Sequence, residues 1–180
     1  MRTMKNLISK QRSLLLTALL TLLTFGTVSA ATSTLDTTDM VGVSFWLAAA
    51  MMLASTVFFI MERNTVADKW KTSMTVAALV TGIAWYHYTY MRDHWVTTGE
   101  SPLVLRYVDW LITVPLQVSE FYLILAAIGV ASAALFWRLF GASIVMLVAG
   151  FLAEAEASID AVSESMVWPL FIVGMLAWIY

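Results

Sequence analysis

Apolar and polar positions fall into long blocks. Past residue 40, five apolar runs stand near residues 41–61, 73–91, 103–127, 136–153 and 166–180, separated by short polar stretches. About 20 apolar residues cover a bilayer core of roughly 30 Å. A lone segment in that core must satisfy its own backbone hydrogen bonds, so each run is predicted to be a helix. The pattern therefore predicts an all-α membrane protein with five transmembrane helices. No internal repeat or low-complexity tract interrupts it, so residues 31–180 read as one domain. The fifth run is about 15 residues, ~22 Å at the helical rise, and no polar stop or basic flank follows it. It reads as a span cut short.

The N-terminus has a different pattern. Arg2, Lys5, Lys10 and Arg12 precede a short apolar core at residues 14–25, and Val28, Ser29 and Ala30 offer a small-residue cleavage site. That order reads as a signal peptide over residues 1–30, because the apolar core is about 12 residues and a span needs ~20. An uncleaved first membrane helix is the alternative. Residues 31–39, rich in Thr and Ser, read as an exposed lead-in.

Composition narrows the function classes. Hydrophobic residues make up 61% of the 180-residue chain and charged residues 12%, and mean hydropathy is +0.82. A soluble domain is nearer half apolar and a quarter charged. A net charge of −2 provides no basic surface for nucleic acid. The absence of cysteine excludes disulfides and thiolate chemistry, and two histidines are too few for a histidine metal cage. Eight Trp and six Tyr suit membrane interfaces or a pocket for a flat apolar ligand.

The basic residues between the runs set an orientation. Arg63, Lys69, Lys71 and Arg138 fall on one side, Arg92 on the other. By the positive-inside rule the richer side is cytoplasmic, which leaves the mature N-terminus outside, as a cleaved signal would. Glu154, Glu156, Asp160 and Glu164 then read as a solvated acidic loop on the outer side, with no chemistry assigned to it.

The third run carries charge where charge is costly. A charged side chain at the bilayer centre costs about 2.5–3.5 kcal/mol on insertion scales, so such residues usually have work to do. At 100° per residue, Arg106, Asp109, Thr113, Gln117 and Glu120 share an arc of roughly 80°, with Pro115 on the opposite side. Asp109 and Glu120 lie about 16 Å apart along the axis, Asp109 towards the outer half and Glu120 towards the cytoplasm. Arg106, one turn outward, can hold Asp109 ionised as a counter-charge, and Thr113 can donate to the same carboxylate. Glu120 has no cation nearby in sequence and is expected to stay protonated. An ionised acid outside and a neutral acid inside is the polarity an outward proton path requires. The alternative is that both acids merely pair with other helices. His87, among aromatics in the second run, is either a packing residue or a partner for Asp109 at comparable depth.

These residues carry a resemblance. "RYVDWLITVP" with "SEFYLILAA" downstream resembles the third helix of the microbial (type 1) rhodopsins, and within them the proteorhodopsins. "GVSFWLA", "ASTVFF", "KWKTS" with "VTGIAWYHYTYMR", and "WPLFIVGMLAWIY" are similar to the family's first, second and fifth helices. The likeness runs over residues 42–180 and includes the charged positions. It implies helices A–E of a seven-helix bundle that holds all-trans retinal, as a protonated Schiff base on a seventh-helix lysine, and pumps protons outward in light. It makes Asp109 the counterion and primary proton acceptor, Glu120 the cytoplasmic donor, and Arg106, Thr113 and His87 partners of the acceptor. It also puts Trp110 against the retinal and makes Gln117 the spectral-tuning position, where Gln goes with blue-absorbing and Leu with green-absorbing members. Met146, Phe171 and Gly174 are further pocket candidates. The family assembles into rings, which implies a homo-oligomer in a bacterial inner membrane.

One departure outweighs the matches. The lysines are Lys5, Lys10, Lys69 and Lys71, none in an apolar run. The sixth and seventh helices and the attachment lysine have no counterpart here, so the chain reads as a truncated proteorhodopsin, a light-driven ion transporter and not an enzyme. The acidic stretch "EAEASIDAVSESMVW" is also longer than the family leads one to expect. Two other readings remain: a photosensory rhodopsin that signals to a partner, and a five-helix membrane protein without a chromophore.

Overall fold

The computed structural model describes residues 36–160 and 162–180, so the expected signal peptide lies outside them. Among the described residues five α-helices follow one another: α1 (Met40–Glu62), α2 (Lys71–Thr98), α3 (Leu103–Ala127), α4 (Ala133–Ile159) and α5 (Glu164–Ile179). A single 3-10 turn, Asp68–Trp70, leads into α2. No strand occurs among the described residues. All five predicted helices are present, and three of them, Met40–Glu62, Leu103–Ala127 and Ala133–Ala155, are long and apolar enough to cross a membrane.

Two helices outrun their apolar segments. α2 continues through polar residues to Thr98 and stops where Gly99 takes a left-handed conformation (φ 71°), with its N–H bonded to the Trp95 carbonyl at 2.7 Å. α4 continues to Ile159 through a stretch rich in Glu and Ala, both strong helix formers. The expected acidic loop therefore begins about a turn and a half later than hydropathy places it, and Glu154 lies within a helix. Hydropathy marks the part of a helix that sits in hydrocarbon, and backbone propensity carries the helix beyond it.

Among the described residues each α-helix packs on its neighbours in sequence, α1 on α2, α2 on α3, α3 on α4 and α4 on α5, and the Asp68–Trp70 turn also touches α3. Between α1 and α2, Thr56 Oγ1 donates to Thr81 Oγ1 at 2.8 Å, a polar tie of a kind common between membrane helices. At the N-terminus of α1, Asp39 Oδ1 accepts from the Val41 and Gly42 amides (3.1 and 3.0 Å), and Oδ2 accepts from Trp95 Nε1 at 2.8 Å. One carboxylate thus caps α1 and pins it to the end of α2. Between α3 and α4, Gly150 leaves room for the tip of the Tyr107 side chain, whose hydroxyl a Cβ there would meet at 3.1 Å. Large apolar residues such as Leu47, Phe58, Val108, Leu111 and Val145 face outwards, as a lipid environment requires.

Candidate proton path and ligand cavity

The polar face of α3 meets α4 at Arg106 and α2 at Asp109. Asp109 is the most enclosed acid described, at 2% exposure, and its Oδ1 lies 2.8 Å from His87 Nδ1 on α2. The structure thus joins two residues that sequence could only place at similar depth. Thr113 is also buried, but its hydroxyl donates to the Asp109 backbone carbonyl at 3.0 Å and not to the carboxylate. A threonine inside a helix readily satisfies the carbonyl four residues back, and here that local bond wins.

Arg106 departs further from expectation. Its guanidinium makes its ion pair with Glu154 on α4 (Nη2 to Oε1, 2.5 Å), and among the described residues it makes none with Asp109. Tyr107 donates its hydroxyl to the other oxygen of Glu154 at 3.0 Å. Tyr107 is itself wedged between Trp110 and Phe151, with ring centroids 5.1 and 5.2 Å away. Asp109 and Arg106 sit on one helix, but His87 partners the first and Glu154 the second. In sequence Glu154 reads as a loop acid; its position about a turn and a half before the end of an Ala-rich helical stretch is the signal that could have found it.

Trp110, Met146, Phe171 and Gly174 come together as expected, lining a cavity of about 750 Å³ between α3, α4 and α5. Tyr107, Val114, Gly150, Trp168 and Trp178 complete most of its wall. The lining is almost wholly apolar and aromatic, with Glu154 at its edge, a surface suited to a flat hydrocarbon. Gly174 belongs here for a packing reason: a Cβ there would lie 3.5 Å from the Met146 carbonyl, so it also lets α5 approach α4. Gln117 lies elsewhere. With Glu120, Phe121 and Ile124 it lines a smaller recess of about 360 Å³, because it lies two turns, about 10 Å, further along α3 than Trp110, which faces the cavity. His94 takes no part in either site. No group of acids and histidines suited to a metal ion occurs among the described residues.

The chain resembles known proteins over this same region. The profile of bacteriorhodopsin-like proteins matches residues 39–180. The blue-light absorbing proteorhodopsin of Gamma-proteobacterium Hot 75m4 is 56% identical over 152 residues, covering 84% of this chain and 58% of that protein. The green-light absorbing proteorhodopsin of Gamma-proteobacterium EBAC31A08 is 54% identical over 154 residues, covering 86% and 59%. Among solved structures, the blue light-absorbing proteorhodopsin from Med12 superimposes with a TM-score of 0.67 at 59% identity, over 79% of this chain and 64% of that one. The chain thus spans less than two thirds of the length of these proteins. The match takes in all five helices and both sites, and the chain belongs to the bacteriorhodopsin-like family, as a microbial rhodopsin of the proteorhodopsin type.

Proposed function

We propose that this chain supplies the proton path and part of the retinal pocket of a light-driven outward proton pump of the blue-absorbing kind. The observation that carries the reading is the enclosed Asp109–His87 pair, on the same helix that walls an aromatic cavity through Tyr107, Trp110 and Val114, with Glu120 three turns inward on the same helix face. The cavity fits the group the family implies: its Trp and Phe walls suit a polyene, and Trp110 joins the cavity to the polar face. An amine for covalent attachment is missing from these helices, since Lys69 and Lys71 lie between α1 and the first turn of α2. All-trans retinal, when bound, supplies light absorption and a change of shape.

The chain's own residues do the rest. His87 holds Asp109 Oδ1, which leaves Oδ2 as the atom free to take a proton. The near-complete enclosure of Asp109 keeps water from short-circuiting the transfer. Glu120, partly exposed in its recess, is placed to take up a proton from the cytoplasmic side and pass it outward. Gln117 lines the same recess, outside the cavity wall, and we assign it the tuning of colour through the longer-range field of its amide. We place the protein in a bacterial inner membrane with the mature N-terminus outside, as a ring-shaped homo-oligomer.

The test supplies the two remaining helices of a proteorhodopsin as a separate polypeptide, with all-trans retinal, in illuminated cells. A visible band with light-driven acidification of the medium is expected, and Asp109→Asn should abolish the acidification. A band without acidification would favour a photosensor; no band would favour a protein without a chromophore.

A further inference from the structure

We propose that Glu154 is a positioning residue: it holds the Arg106 guanidinium on the α4 side of α3 and so reserves Asp109 for His87. The inference takes its functional meaning from Asp109 as proton acceptor, but the geometry stands without it. On one helix, residues three apart are neighbours, and arginine is long enough to serve a carboxylate one turn away. Arg106 therefore has two acids within choice, Asp109 on its own helix and Glu154 across the interface.

Electrostatics alone would favour Asp109, the less screened of the two: its side chain is 3% exposed against 47% for Glu154. The structure shows the opposite choice, and three contacts account for it. Both oxygens of Glu154 are engaged, one by Arg106 and one by Tyr107, which fixes the carboxylate as a rigid acceptor. The Arg106 guanidinium rests over the Trp110 ring, 5.7 Å from its centroid, on the way to α4. His87 already occupies Asp109 Oδ1. Among hydrogen bonds and ion pairs the guanidinium is held from the Glu154 side alone, because Arg106 Nε is buried with no hydrogen-bond partner among the described residues. A guanidinium with an unfilled donor will move once its one anion is gone. The acid one turn along α3 is then the available partner, where it competes with His87.

The test uses the chain as it stands, in a bilayer and without retinal, so its failure is distinct from a failure to bind chromophore. The chain has two histidines, His87 and His94, so ¹⁵N-histidine labelling yields two imidazoles, with His94 as the internal control. In Glu154→Gln the His87 Nδ1 resonance should shift towards the value of an unbonded ring nitrogen, while His94 stays put. In Arg106→Gln it should stay at the wild-type position, because Arg106 does not touch Asp109 at the outset. In the double variant the Glu154→Gln shift should vanish. An unmoved His87 signal in Glu154→Gln, or a shift that persists without Arg106, overturns the proposal. Should Glu154→Gln fail to fold, Arg106→Gln still decides: a displaced His87 signal there means that Arg106 already acts on Asp109.

Discussion

Replacing His87 by Phe tests the central pair by its energy. The swap keeps a ring of similar size on α2 and removes the nitrogen 2.8 Å from Asp109 Oδ1. Asp109 is then an acid at 2% exposure with no side-chain partner. Left ionised and unpaired it would cost about 3–5 kcal/mol. The carboxyl avoids most of that by holding its proton, which reduces the loss to that of one buried hydrogen bond with its acceptor left bare, about 1–3 kcal/mol. Hydrogen bonds between membrane helices have measured nearer 0.6 kcal/mol, with a maximum of about 1.7, so a loss of roughly 1–2 kcal/mol is expected. Asp109→Leu removes the same bond from the other side. Reversible unfolding in mixed micelles of the two single variants and the double variant closes a cycle whose coupling should be about 1 kcal/mol or more. Strict additivity, with a coupling under about 0.3 kcal/mol, would show that the two side chains are neighbours without being partners.

Three further outcomes follow from particular contacts. Gly150→Ala places a Cβ 3.1 Å from the Tyr107 hydroxyl; it should destabilise by about 1–3 kcal/mol and displace Tyr107 from Glu154, seen as loss of the Tyr107 hydroxyl hydrogen bond in the infrared. Asp39→Ala uncaps α1 and releases Trp95, which should cost about 1 kcal/mol and speed amide exchange at Val41 and Gly42. Lys71 holds the exposed Asp68 carboxyl below the ordinary carboxylate range, chiefly through a 2.6 Å hydrogen bond and then through its charge. A depressed carboxyl stabilises above its unfolded value and loses that contribution as pH falls through the folded one. On a fully exposed group the effect is screened, so Lys71→Met should return the Asp68 titration to normal without moving the unfolding midpoint at neutral pH.

The helices could be read in the chain because a bilayer leaves little choice. An apolar run of sufficient length, such as residues 103–127, must be a helix, and the predicted third segment coincides with α3. Hydropathy gave the ends of α1 and α3 to within a residue, but it stopped the second segment at residue 91, seven residues short of Thr98, although Gly99 stands there as a backbone stop signal. At the end of α4 no such signal exists, and the acidic residues of 154–159 suggested solvent where they continue a helix. The same division holds for the site. Residues sharing a face of one helix are fixed by the helical repeat, so the line from Arg106 to Glu120 was visible without coordinates. Which helix meets that face at each level was not.

Partner choice was the part sequence could not decide, and Arg106 shows why. One turn from Asp109, it looked like that acid's counter-charge, an inference sound for an isolated helix. In the folded chain a more exposed acid takes it, although a buried pair would gain more Coulomb energy per contact. Two of the deciding terms are ones a helical wheel omits, the second oxygen of Glu154 held by Tyr107 and His87 already at Asp109, and both come from the way α4 and α2 pack on either side of α3. The third, the Trp110 ring under the guanidinium, lies one turn along α3 itself. A polar face on one membrane helix therefore specifies which ionisable groups lie together, and the two flanking helices decide which charges those groups feel. In this chain that division gives His87, and not Arg106, to Asp109.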